Sequence, residues 1–198
     1  MRTLAALMLL LALVLAPRAR ALEPDKAFRH YVSDSWSIQQ GLPQISVLSL
    51  AQDRTGYIWV GTQSGLARFD GLGFRTYTPE NTPGLPGTWV RSLLSARDGR
   101  LWVGTYKGLA FFDGHEFSSV PAPAGAPALD VLDITEDSQG RIWLATPSGV
   151  FRVEHDRLLP VAGSPLPAQA VLVRDDGLWV GTRGAVYRRL ATGRWERL

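Results

Sequence analysis

The stretch Asp53-Arg-Thr-Gly56-Tyr-Ile-Trp59-Val-Gly61-Thr62, followed by Gly65-Leu66 and then Phe69-Asp70-Gly71, decides the fold because the chain repeats it. A second copy reads Asp98-Gly99-Arg-Leu-Trp102-Val-Gly104-Thr105, with Gly108-Leu109 and Phe112-Asp113-Gly114 behind it. A third runs Asp137-Ser-Gln-Gly140-Arg-Ile-Trp143-Leu-Ala145-Thr146 and continues to Gly149-Val150. The fourth, Asp175-Asp176-Gly177-Leu-Trp179-Val-Gly181-Thr182, is trimmed ahead of its Trp and has Ala185 before Val186 where the others place Gly. In this alignment Asp53, Asp98, Asp137 and Asp175 share one register. The Trp residues stand 43, 41 and 36 positions apart. A period of about 40 that holds several short strands is the period of a propeller blade.

Turn residues cut the first copy into four strands: Val47 to Ala51, Tyr57 to Thr62, Leu66 to Phe69 and Phe74 to Tyr77. Gly supplies the positive φ of tight hairpins and Asp tolerates the neighbouring turn position. Pro83 and Pro86 fall in the crossing to the next copy, where a missing N–H breaks no ladder. In the second strand Ile58, Val60 and Thr62 face one way and Trp59 and Gly61 the other, and both faces carry packing residues. A strand covered on both faces belongs between two neighbouring blades. Trp59, Trp102, Trp143 and Trp179 therefore read as inter-blade core, and Gly61, Gly104 and Gly181 as places where a neighbour comes close. Exposed stacking platforms for sugars are the competing use of four evenly spaced Trp residues, and the shared apolar strand position favours the core. The expected fold is all-β: a β-propeller of about four four-stranded blades, with cores at about 45–78, 89–118, 129–160 and 169–198, inside a larger ring of about seven blades.

These residues resemble the two-component regulator propeller repeat family. The likeness rests on the recurring W-V-G-T-x-x-G-L core, the Asp and Gly before the Trp, and the opening Trp36-x-x-x-x-Gly41-Leu42-Pro43. It spans about residues 28 to 198. The Trp-Asp mark of WD40 repeats is absent and their Gly-His mark does not recur, and the likeness of Ala51-x-Asp53-Arg-Thr55-Gly56 to quinone-cofactor dehydrogenase repeats fails on spacing and is not repeated. The resemblance implies the periplasmic sensor region of a bacterial hybrid histidine kinase or diguanylate cyclase, with the catalytic output and a membrane span in a C-terminal continuation.

Positive charge at first suggests an acidic partner: 21 Lys and Arg stand against 18 Asp and Glu. Three of the basic residues, Arg2, Arg18 and Arg20, lie in the first 21 positions with no acid among them, and removing them leaves 18 against 18. Nucleic acid is thus not an expected partner. Residues 1–21 read as a signal peptide: Arg2, the 13 apolar residues from Leu4 to Ala16, and the small-x-small site Ala19-Arg20-Ala21. Thirteen is short of the roughly 20 that cross a bilayer. The expected mature chain begins at Leu22 and is periplasmic, and it is held by packing and pairing alone because it has no Cys. Phe28 to Val32 reads as an outer blade strand without companions of its own, which points to partner strands in a longer protein and to a chain able to associate as a dimer.

The search for chemistry leaves no catalytic, cofactor or metal constellation. His30, His115 and His155 are scattered, no serine has a nucleophile-elbow context, and the recurring Asp residues read as turn formers. Binding should use what differs between blades. Gln44, Trp89 and Asp130 at the entries to first strands, with Gln63, Tyr106 and Arg183 in second hairpins, fall at one end of the blades. Trp89 and Tyr106 share a blade and could offer aromatic faces to a glycan, a peptide or another small ligand, rim packing being their simpler use. The expected function is extracytoplasmic sensing; the alternatives are an enzyme acting on a polysaccharide or lactone, and an interaction propeller without a small ligand.

Overall fold

The computed structural model describes residues 34–123 and 129–198. The expected signal peptide, the strand Phe28–Val32 and His30 lie outside them. Among these residues, apart from a 3-10 turn at Ile38–Gln40, the regular structure is β-strand, in four antiparallel sheets of four strands taken in chain order. Blade 1 is β1 (Val47–Gln52), β2 (Ile58–Thr62), β3 (Gly65–Phe69) and β4 (Phe74–Tyr77). Blade 2 is β5 (Val90–Ser95), β6 (Leu101–Thr105), β7 (Gly108–Phe112) and β8 (Phe117–Val120). Blade 3 is β9 (Asp133–Glu136), β10 (Ile142–Thr146), β11 (Gly149–Glu154) and β12 (Arg157–Pro160). Blade 4 is β13 (Ala170–Arg174), β14 (Gly177–Gly181), β15 (Val186–Arg189) and β16 (Trp195–Arg197). This is a partial propeller.

The core lies between blades. Trp59, Leu66 and Tyr77 of blade 1 form one buried cluster with Val90, Leu101, Val103 and Phe117 of blade 2. Trp59 has its ring centroid 5.3 Å from that of Phe112 and 6.1 Å from that of Phe117. Trp102 and Leu109 pack in the same way against Val131, Ile134, Leu144 and Phe151 of blade 3, and Trp143 with Ala145 against Val171, Leu178 and Val180 of blade 4. Each second strand thus sends its Trp forward to the next blade and its Val or Leu back to the previous one. Gly61 and Gly104 have no room for a side chain. A Cβ on Gly61 would run into Ser49 and Val90, and one on Gly104 into Ser92 and Val131. The entry valine of the next blade fills that space.

Hairpins are locked by side chains. Thr62, Thr105 and Thr146 end their second strands, Thr182 follows directly on β14, and each donates Oγ1 to the carbonyl three residues on, at 2.8 to 3.0 Å. In blade 1 Asp53 Oδ1 accepts the Thr55 and Tyr57 N–H groups while Oδ2 accepts Trp59 Nε1 at 2.7 Å. Asp137 does the same for Gln139, Arg141 and Trp143.

Here the structure corrects the repeat alignment. In blade 2 the place of Asp53 belongs to Ala96, whose N–H and C=O make the turn bonds to Arg100 and Gly99 that Asp53 makes to Tyr57 and Gly56. Asp98 caps only the Arg100 N–H, and Trp102 Nε1 is buried without a partner among the described residues. In blade 4 the turn is shortened to two residues between Arg174 and Gly177, so Asp176 and not Asp175 reaches Trp179 Nε1. Trp179 is also only half-buried, against 0%, 2% and 6% exposure for Trp59, Trp102 and Trp143. Among the described residues no fifth blade covers it.

The opening motif has a physical role. Trp36 packs edge-on against Phe69 and Phe74, at 4.6 and 6.0 Å, the positions that Phe112 and Phe117 hold against Trp59 in blade 2. It stands in for a repeat Trp on the face of blade 1 that no other blade covers among the described residues. Leu42 follows into the core, as Leu85 does one repeat later.

Candidate functional site

The antiparallel order places every first-strand entry and every second hairpin at one end of its sheet. Trp89 and Asp130 are brought together there by an inter-blade backbone bond, Val131 N–H to Thr105 C=O at 2.9 Å, which docks the entry of blade 3 on the second hairpin of blade 2. Tyr106 N–H donates to the Trp89 carbonyl at 3.1 Å, and the two rings stand 6.2 Å apart at 48°. Gly87 makes this approach possible, because a Cβ there would press on Thr105, Tyr106 and Lys107 at 3.1 to 3.2 Å.

Sequence reading missed the residue that joins the group. In β5 Val90 pairs with Thr105 and Ser92 with Gly104, so Arg91 is the extra residue of a β-bulge. A bulge turns its unpaired side chain out of the alternating pattern. Arg91 lays its guanidinium over the Trp89 ring at 4.1 Å and meets Asp130 at 2.8 Å. That contact lacks hydrogen-bond alignment, which leaves Arg91 Nε and Asp130 Oδ1 without hydrogen-bond partners among the described residues. Burial pushes the Asp130 carboxyl up from its ordinary range, and Arg91 offsets part of that rise. Trp89 Nε1 is a further buried donor without a partner, and Lys107 lies 5.3 Å from the centroid of the exposed Tyr106 ring. No period-two pattern announces the bulge; the nearest signal is that its counterpart in β1 is the apolar Leu48.

The other candidates are placed apart from this group. Gln44 and Gln63 bond to each other at 3.3 Å, side chain to side chain and through the Gln63 N–H. Arg183 is exposed in the second hairpin of blade 4. Neither makes a bond or ring contact with the Trp89 group among the described residues. His115 lies in the turn between β7 and β8 and His155 in that between β11 and β12, the latter at φ 48°. Among the described residues no group of three or more His, Cys, Asp or Glu is placed to hold a metal ion. The arrangement offers two aromatic faces, two cations, one carboxylate and an unsatisfied indole N–H. It suits reversible recognition of a flat polar molecule, and it presents no aligned nucleophile and base.

The family model "Two component regulator propeller" matches residues 41–64, 84–107 and 125–148. Histidine kinase P4 of Formosa agariphila is 42% identical over 55 residues, which is 27% of this chain and 4% of the kinase. Among solved structures, the extracellular domain of a B. thetaiotaomicron protein assigned as a hybrid two component system superposes with a TM-score of 0.73 at 22% identity, over 83% of this chain and 26% of that domain. A second from the same organism, assigned as a one component system, gives 0.68 at 20% identity over 77% and 22%. A streptogramin B lyase gives 0.60 at 16% identity over 79% and 55%. At these identities the structural likenesses establish the fold. This chain spans about a quarter of the two extracellular domains and a small fraction of the kinase. Among the described residues no helix is long and apolar enough to cross a membrane. Three units of the chain thus carry the two-component regulator propeller repeat, and its fold is that of these extracellular domains.

Proposed function

We propose that this chain is part of the exported sensor region of a bacterial signal-transduction receptor and binds a small polar ligand at the end of blades 2 and 3. The observation that carries this reading is the bulged Arg91, stacked on Trp89 and paired across the blade junction with Asp130. A ligand that stacks on Trp89 and Tyr106 and draws Arg91 or Asp130 into hydrogen bonds touches two blades at once. It changes the contact between them, which is a physical route from binding to signal. The output module lies outside these residues, and the chain itself is not an enzyme. The three matched repeats and the export signature of residues 1–21 support the extracytoplasmic location.

The binding part is tested by thermal shift of the receptor's whole exported region against a panel of neutral and acidic oligosaccharides and short peptides. A hit should be lost in Trp89→Ala and in Arg91→Ala and kept in Arg183→Ala. A hit unchanged by both of the first two would refute the site. The location is tested separately, by fusing residues 1–21 to a reporter active only in the periplasm; an inactive fusion would refute export.

A further inference from the structure

Strand β3 carries Arg68 directly opposite Trp59, and β15 carries Arg188 opposite Trp179 in the same register; β11 carries Arg152 opposite Trp143. All three guanidinium groups reach over that Trp, at 5.6 to 5.8 Å from the ring centroid. Two of the three are neutralised from within their own blade. Arg188 meets Glu196, its cross-strand partner, at 2.9 Å and Asp176 at 3.6 Å, and Arg152 meets Glu154 at 2.8 Å. Blade 1 breaks the rule: the residue across from Arg68 is Arg75. Like charges directly opposite one another on a sheet repel. Among the described residues neither arginine has a carboxylate at ion-pair distance. Asp70 feels the charge of Arg68, but its Oδ1 is taken by the Leu72 and Gly73 N–H groups.

The pair is held in place and faces open space. Arg68 stacks over Tyr57 at 4.3 Å and Arg75 over Tyr77 at 5.2 Å. Both line a groove of about 740 Å³ between the outer parts of blades 1 and 2, which Ser118, Ser119, His115 and Glu116 of blade 2 also line. The other two arginines paired opposite a repeat Trp find their counter-ion inside the protein, so we infer that Arg68 and Arg75 form a site for an oxyanion supplied from outside: a phosphate, sulfate or carboxylate group, free or on a small ligand. Two guanidinium forks on adjacent strands can each donate paired N–H groups to such an anion, and the hydroxyl of Ser119, on the face of β8 that Phe117 turns to blade 1, can complete its shell. Glu116 on the far wall favours a single anionic group over a polyanion. This site is separate from the Trp89 group and does not rest on it.

The test is thermal unfolding of the whole exported region in sodium phosphate up to a few millimolar, far below the range where phosphate acts as a general stabiliser, against sodium chloride at matched ionic strength. Wild type should show a saturable phosphate-specific rise of about 2 to 4 °C. Arg75→Glu, which gives blade 1 the Arg–Glu pair of blade 4, should remove the response and raise the melting temperature without phosphate. Arg75→Gln should also lose the response, which covers the case in which the first variant does not fold. A parallel titration with glucose 6-phosphate separates the two sources of the group: tighter binding assigns the anion to a larger ligand, and equal binding to the free ion. No phosphate-specific rise in wild type, or the same rise in the Arg75 variants, would overturn the inference.

Discussion

Blades 2 and 4 contain the same Trp-Val-Gly-Thr run, yet the run does different things in them. In blade 2 Trp102 is 2% exposed and Gly104 is pressed by Val131 of the next blade. In blade 4 Trp179 is half-buried, and the nearest atom to a Cβ on Gly181 is its own blade's Ala170 at 3.5 Å. Leu172 and Val186 beside it are 49% and 45% exposed over an open concavity of about 750 Å³. At the other end Val47, the counterpart of the fully buried Val90, is 44% exposed. The motif does not make a residue core; the blade that follows does. The repeat writes one half of a junction into each strand, and burial comes only when the other half arrives.

The largest effects should separate the Trp residues. Trp59→Ala removes a fully buried ring that touches three aromatic neighbours and should cost about 3 to 5 kcal/mol in chemical denaturation. Trp179→Ala should cost less, since part of its area is already in water. Equal costs would break the contrast. The glycines come next. Gly104→Ala should destabilise by about 1 to 3 kcal/mol because Ser92 and Val131 must move. Gly181→Ala, where φ is ordinary and the space is open, should be neutral or stabilise by up to about 1 kcal/mol.

A third change sharpens the comparison from the opposite side. Ala96→Asp should give blade 2 the turn lock of blades 1 and 3, satisfy Trp102 Nε1 and add about 1 kcal/mol. A variant less stable than wild type would mean that Ala96 is not the counterpart of Asp53.

The smallest effect is in pH. Asp133 sits at the junction of blades 3 and 4, accepting the Val171 N–H at 2.9 Å. Burial pushes its carboxyl up, with the Val171 and Ile134 N–H groups pulling the other way. A raised carboxyl takes up its proton more readily folded than unfolded, so stability rises as pH falls from neutrality toward the ordinary value of 3.8. For Asp137 burial is outweighed by bonds from Trp143, Arg141 and Gln139 that hold the carboxyl down, so its contribution is present above 3.8 and lost as pH falls below it. Denaturation midpoints measured across pH should therefore lose part of their upper limb in Asp133→Asn, the rest coming from the likewise raised Asp130, and keep the lower one.

Much of this was legible in the sequence. The fourth strand of blade 1, read as Phe74 to Tyr77 from its flanking turn residues, is β4 with those limits. The Trp positions and the blade period were visible because each is a local pattern that packing repeats. Three features were not. Asp98 was set level with Asp53 because both precede a Gly and a Trp, but the bonding depends on distance from the Trp, six residues for Asp53 and Asp137 and four for Asp98. Arg91 was passed over because a bulge suspends the alternation used to assign faces. The Arg68–Arg75 pair emerges only when strand register sets the two side by side.

Hydrogen exchange along the intact chain tests the central claim most directly, because it reads closure blade by blade. Amides of β6, β7 and β10, enclosed on both faces, are expected to exchange slowest, and those of β14 and β15 at least about tenfold faster. Equal protection of β14 and β6 would contradict the claim that each blade is completed by its neighbour.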